Sequence, residues 1–306
     1  MLKLIDRRKF ISLLVSLSTL LLNGCQATFF ATVNGIRGNG DSERITEVID
    51  SASGIAVDVY RPASATADTP VVIFYYGGSW RSGERGWYQF VGRALAAEGM
   101  VAVLPDYRKF PQVSFAELMN DAALAVRWVA DHRERVGSEG PIFVAGHSAG
   151  AHIAALLATD DRYLRQVGQR PDAIAGMVGF AGPYNFLPIV DPAVAEVFVD
   201  EAGAYDAQPI HHVDRSDSPA LLFHGSKDET VRPFNSATFA AALVKAGVRA
   251  EYREIPGIGH VRLVFEIGSG SETGREIARS VSAFVGGRSG ALAGAAVDQR
   301  ASQPAD

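Results

Sequence analysis

Cysteine is nearly absent from this chain of 306 residues. The one example, Cys25, excludes an internal disulfide and any cysteine-based metal centre, so the fold must rest on its core. Basic runs are lacking outside the first ten residues, and the formal charge is −5, which argues against nucleic acid as a partner. The aromatic residues are scattered and form no stacking platform. The longest apolar run, Phe10–Leu22, falls short of the about 20 residues a spanning helix needs. What the chain does have is a hydrophobic content of 47%, enough for one sizeable core in a single domain with terminal extensions.

Residues 1–25 read as an export signal. Lys3 and Arg7-Arg8-Lys9 precede the apolar run, which closes on Leu22-Asn23-Gly24-Cys25. That ending resembles the lipobox of bacterial lipoproteins, in which the cysteine is acylated and holds the protein at the membrane. The paired arginines also resemble a twin-arginine export signal. A plain secretory signal or an uncleaved anchor, with Cys25 a bystander, is the simpler alternative. Either way the domain is expected in the cell envelope, outside the cytoplasm. Residues 26–43 are polar and read as a linker that lets the domain stand off its anchor.

Arg44–Ile49 and Ile55–Tyr60 alternate apolar and polar residues around Asp50–Gly54, predicting a half-exposed antiparallel hairpin. Beyond it, continuous apolar runs at Val71–Tyr76, Met100–Leu104, Pro141–Ala145, Ala173–Phe180 and Pro219–Phe223 alternate with helical patterns, and Ala250–Ile255 closes the series. Strands alternating with helices imply a mostly parallel sheet covered on both faces, an α/β fold over residues 44–287. Asp106-Tyr107-Arg108, at the end of one strand, offers either a site residue or a structural ion pair. Residues 183–218, with four prolines, form a lid or substrate loop. Trp80, Tyr184, Phe186 and Phe198 are candidates to line an acyl or aryl pocket, or else to pack beneath a long loop. Residues 288–306 read as a disordered tail.

The chemistry centres on Gly146-His147-Ser148-Ala149-Gly150. A serine between a buried strand and an Ala/Leu-rich helix, with small residues on both sides, has the pattern of a nucleophile elbow. An ordinary Gly-rich turn is the bland reading. A serine hydroxyl needs a base, and the base needs a third group to fix its tautomer. In elbow folds the acid and then the histidine follow the serine. Asp228 lies in a loop just past a buried strand, and His260, the only histidine beyond Asp228, lies in a Gly-rich loop past the next strand. Glu229 is the rival acid; His224 precedes its acid and reads as a polar residue satisfied at a strand end. Gly77 and Gly78, straight after a central strand, and Ala149 are the candidate amides for an oxyanion hole, although a Gly-Gly turn alone would look the same.

Together, Gly146–Gly150, Gly77-Gly78-Ser79-Trp80, Pro105–Arg108 and His224–Asp228 make residues 70–285 resemble a small carboxylesterase of the α/β-hydrolase superfamily, close to lipolytic esterases and arylformamidase-like enzymes. The resemblance implies hydrolysis of small or short-acyl esters through an acyl-enzyme on Ser148, with no metal or organic cofactor. An amidase or arylformamidase on the same triad, or a catalytically silent envelope lipoprotein, are the rival readings. Many relatives have His-Gly-Gly at the oxyanion loop, where this chain has Tyr76-Gly77-Gly78. Acyl-chain preference and oligomeric state are not legible.

Overall fold

The computed structural model describes residues 30–35, 42–199 and 203–287. Eight strands form one sheet: β1 (Ser42–Asp50), β2 (Ile55–Pro62), β3 (Val71–Tyr75), β4 (Val101–Pro105), β5 (Ile142–His147), β6 (Ile174–Phe180), β7 (Ala220–Gly225) and β8 (Ala250–Ile255). Their order across it is β1-β2-β4-β3-β5-β6-β7-β8. The β1/β2 and β2/β4 pairs are antiparallel, and every pair from β4 to β8 is parallel. This is the α/β-hydrolase architecture that the strand and helix patterns predict. The central strands β3 to β7 are buried along their whole length, apart from Ala175 of β6, as continuous apolar strands covered on both faces should be.

Among the described residues, five helices of nine residues or more flank the sheet: α1 (Gln89–Ala97), α2 (Phe115–Asp131), α3 (Ala149–Thr159), α4 (Phe234–Ala246) and α5 (Glu272–Val285). Side-chain alternation sorts them into two layers. Tyr75 of β3 pairs in register with Gly146 of β5; the Tyr75 hydroxyl donates to Ala122 O on α2 at 2.7 Å, and Gly146 abuts Gly150 on α3. On the other face Phe143 meets Phe284 of α5, and Phe74 meets Tyr88 just before α1. A capping box starts α2, with Ser114 and Glu117 each satisfying the other's backbone N–H. No described helix is long and apolar enough to cross a membrane.

Two expectations need correction here. The hairpin is half-exposed only in β1; β2 is almost wholly buried, because β4 flanks it and α1 packs over it. Its inward Asp58 is accommodated by Thr46 Oγ1 at 2.7 Å and by Arg44 and Arg85 at 3.2 Å. The stretch read as a linker, 26–43, also contains structure. Residues 30–35 are helical, and β1 already begins at Ser42. Phe30 stacks on Trp87 at 5.1 Å between ring centroids and touches Tyr88 and Phe265. Asn34 bonds Gly86 O, Phe90 N and the Arg93 guanidinium. A polar composition hid one large aromatic anchor, which together with the Asn34 hydrogen bonds offsets part of the cost of ordering the segment. The export signal with Cys25, and the tail 288–306, lie outside the described residues.

Candidate active site

Ser148 sits between β5 and α3 at φ 55°, ψ −123°, a strained conformation that exposes the side chain at the end of the sheet. Close approach on both sides explains the flanking glycines. A Cβ at Gly146 would stand 2.3 Å from Gly150 O, and one at Gly150 would stand 2.0 Å from Tyr75 O. The Ser148 N–H is tied to Phe180 O on β6 at 2.9 Å.

The loop after β7 carries Asp228 and the loop after β8 carries His260, at the same end of the sheet. His260 Nε2 is 2.9 Å from Ser148 Oγ, and His260 Nδ1 is 2.7 Å from Asp228 Oδ2. A carboxylate only accepts, so Nδ1 carries the proton and the Nε2 lone pair faces the serine hydroxyl. Asp228 Oδ1 accepts from the amides of Thr230 and Val231, both at 2.9 Å. Burial pushes the Asp228 carboxyl up, but hydrogen bonds from His224 and His260 outweigh it and hold the group well below the usual carboxylate range. Its side chain is fully buried. Glu229, the rival acid, is exposed.

The loop Gly77–Ser82 passes over the serine. A Cβ at Gly77 would lie 3.1 Å from Ser148 Cβ. Gly78 has φ +141°, and its carbonyl accepts from Arg81 N, Ser82 N and Ser82 Oγ. Among the described residues, the amides of Gly78 and Ala149 have no hydrogen-bond partner. The Gly77 amide is instead directed at Tyr88, whose phenol burial raises to about 12 against the pull of that N–H. Gly77 therefore shapes the loop, and the two free donors are Gly78 and Ala149. Tyr76 braces the loop in place of a histidine: its ring stacks on Tyr107 at 4.5 Å, its carbonyl accepts from the Tyr107 hydroxyl at 2.8 Å, and its own hydroxyl meets Asp106 and Lys109. Asp106 and Arg108 are structural, pairing with Arg85 and Asp121.

Trp80 and Phe186 come together beside Phe198, Phe115 and His152 in an aromatic cluster one helical turn from Ser148. The Trp80 indole N–H donates to His152 Nδ1 at 3.2 Å, and His152 Nε2–H donates to Ala207 O at 2.6 Å. Burial lowers His152 to about 4, so the ring is neutral and its acceptor nitrogen is preserved. Tyr184 does not belong to this group. It is fully buried and stacks at 4.7 Å on Phe239 of α4, so it packs beneath the insertion and lines no open pocket. Arg81 joins the loop to the insertion through Ala193 O at 2.9 Å and Glu196 at 3.1 Å.

Three histidines escape a reading based on chain order. His147 is buried against His260, His152 holds Trp80, and His224 stands 3.2 Å from Asp228. Only His152 carried a local signal, its position four residues after the serine on a helix.

Comparison with known proteins finds esterases among those similar to this chain. The chain is 32% identical over 241 residues to esterase LipC of Mycobacterium tuberculosis, covering 71% of this chain and 59% of that one. It is 28% identical over 234 residues to a probable isoprenylcysteine alpha-carbonyl methylesterase, ICMEL1, of Arabidopsis thaliana, covering 69% and 49%. The chain spans about half the length of the curated plant relatives it matches. The apo form of Thermogutta terrifontis esterase 2 superposes with a TM-score of 0.67 at 25% identity, over 83% of this chain and 97% of that one. With residues 57–243 matching the BD-FAE family, the chain belongs to that family and has an α/β-hydrolase fold.

Proposed function

We propose that the protein is a carboxylic ester hydrolase that works through an acyl-enzyme on Ser148. The observation that carries this reading is the Ser148–His260–Asp228 array, 2.9 and 2.7 Å between successive partners, on a strained elbow under two free amides. His260 Nε2 takes the Ser148 proton as Oγ attacks the ester carbonyl. Asp228 holds the ring and stabilises the imidazolium. The amides of Gly78 and Ala149 receive the oxyanion, each such donor being worth about 2.7–4 kcal/mol of transition-state stabilisation. His260 then protonates the departing alcohol, and a water activated by the same nitrogen releases the acid.

The names of the relatives, esterases and a methylesterase, support the ester class. Trp80, Phe186 and Phe198 pack against one another beside the serine, which favours small or short-acyl substrates. Acylation at Cys25 is part of the same proposal, supported by the sequence of residues 3–25. Phe30 is docked five residues further on, a reach of at most about 18 Å, so such an anchor would hold the domain close to a membrane surface. Loss of palmitate incorporation in Cys25→Ala cells tests the anchor; unchanged incorporation refutes it.

The catalytic reading is tested by labelling with a fluorophosphonate probe, peptide mapping, and a short-to-long p-nitrophenyl ester series. Label on Ser148 and turnover of short esters are expected. Undiminished turnover by a pure Ser148→Ala protein overturns the assignment.

A further inference from the structure

His224, the last polar residue of β7, is fully buried, and both of its ring nitrogens are engaged. Nδ1 lies 2.7 Å from Ser236 Oγ on α4. Nε2 lies 2.7 Å from Val231 O and 3.2 Å from Asp228 Oδ2. Those last two oxygens are acceptors only, so Nε2 must carry the proton, and in the neutral ring Nδ1 accepts from Ser236. The tautomer is thereby fixed, and one N–H is shared between a carbonyl and the carboxylate.

That carboxylate oxygen is the one that receives His260 Nδ1–H at 2.7 Å. Asp228 thus divides its capacity: Oδ1 serves the Thr230 and Val231 amides, and Oδ2 serves two imidazoles. A residue needed only to fill the strand end would be satisfied by Ser236 and Val231 alone. A second donor on Oδ2, inside a buried network, competes for its lone pairs and lowers its basicity toward the first.

We propose that His224 is a positioning residue of the Ser148–His260–Asp228 array, sharing the Asp228 Oδ2 acceptor with His260 and so moderating how firmly the carboxylate holds the protonated base. The proposal rests on His260 being the base. If Asp228 grips the imidazolium too firmly, His260 stays protonated at a pH where it must accept the serine proton, and it is a poorer donor to the leaving alcohol. Without the His224 N–H, Asp228 becomes more basic and His260 keeps its proton to higher pH. The other ionisable groups around this network are His147 against the His260 ring, Lys227, Glu229 and Arg232 along the Asp228 loop, and the Arg262–Glu266 pair on the helix that His260 begins. None of these is altered by substitution at position 224.

The test uses His224→Phe, which removes the donor, His224→Gln, whose side-chain amide restores one at the Nε2 position, and Ser236→Ala, which only releases Nδ1. The acid limb of kcat/KM for p-nitrophenyl butyrate is measured in each, and the His260 ring is titrated by nitrogen-15 NMR. His224→Phe should move the limb and the NMR midpoint up by about 0.5–1 pH unit. His224→Gln should return both toward the unsubstituted protein, and Ser236→Ala should shift them the same way by less. A limb and midpoint unmoved in His224→Phe, or in Ser236→Ala if the first variant does not fold, overturn the proposal even if kcat falls. If the unsubstituted protein shows no Ser148-dependent turnover, the hydrolase reading fails, while the NMR midpoint still decides whether His224 acts on His260 through Asp228.

Discussion

His147 donates its Nε2–H to the backbone carbonyl of His260 at 3.1 Å, so the residue before Ser148 grips His260 itself, the first residue of the helix after β8. The two rings lie 4.8 Å apart. Burial first, and then repulsion from His260, lowers His147 to about 3. The ring is therefore neutral at neutral pH and places no cation beside the His260 ring.

From this contact, His147→Phe should keep the packing but leave the His260 carbonyl without this donor. That carbonyl still accepts a bond within its own helix, so the change should cost only the net worth of one hydrogen bond, about 0.5–1.5 kcal/mol. Displacement of the His260 loop should appear in kcat, with a loss of about tenfold or more and little change in KM. Steady-state kinetics on p-nitrophenyl butyrate alongside a thermal melt checks this; an unchanged kcat would mean the His260 loop holds itself in place.

Gly150→Ala should disrupt the elbow from behind. Its Cβ would stand 2.0 Å from Tyr75 O and 2.5 Å from Tyr76 O, so α3 must move away from β3. Overpacking of a rigid backbone contact costs about 1–3 kcal/mol, or roughly 3–10 °C in Tm for a domain of this size, with Ser148 carried out of line. Gly86→Ala is the control, since the nearest atom to its Cβ is the end of Glu84 at 3.7 Å. Melting curves and turnover of the pair should separate cleanly.

That Ser148, Asp228 and His260 come together was legible because each sits where a strand pattern ends in a glycine-rich loop, and because the chain order of elbow folds leaves one histidine after Asp228. His147 and His224 were not. The partner of His147 is 113 residues away, and a buried histidine looks the same in sequence whether it fills a strand end or touches the acid. Tyr184 and Phe186 stand two apart in an irregular segment, where no periodicity says which ring faces the serine and which faces α4. Asp58 carried a misleading signal. Its place in an alternating strand implied an exposed face, yet Thr46, Arg44 and Arg85 supply the partners that let it turn inward.

Phe30 gives a prediction about where the folded unit starts. Its ring is 9% exposed and contacts three aromatic neighbours. Phe30→Ala should cost about 3 kcal/mol, and a protein beginning at residue 42 should lose at least as much, or about 6–12 °C in Tm relative to one beginning at residue 27. Equal melting temperatures for the two would show that residues 30–35 add nothing to the fold.

Acid should destabilise the protein in two separate windows. His147 and His152 are lowered from 6.5 to about 3 and about 4, in both cases chiefly by burial. Between pH 6.5 and those values the unfolded chain binds protons that the folded chain refuses. Stability therefore rises with pH through this window and is lost as pH falls through it. At pH 4.5 each ring has forfeited about 2–3 kcal/mol relative to pH 7. Asp228, held below its ordinary value by His224 and His260 against burial, adds its loss only below about pH 4, where the unfolded carboxyl begins to protonate. The upper window should be halved by His152→Gln, whose amide keeps a donor for Ala207 O without a titrating ring. In the folded protein His152 takes a proton only near pH 4, where it loses the lone pair that receives the Trp80 indole N–H at 3.2 Å, so tryptophan fluorescence of the folded protein should change only at the lower end of the window. Denaturant unfolding at pH 7, 5.5 and 4.5 with both proteins decides it: parallel losses in the two would mean that His152 is not one of the groups that set the upper window.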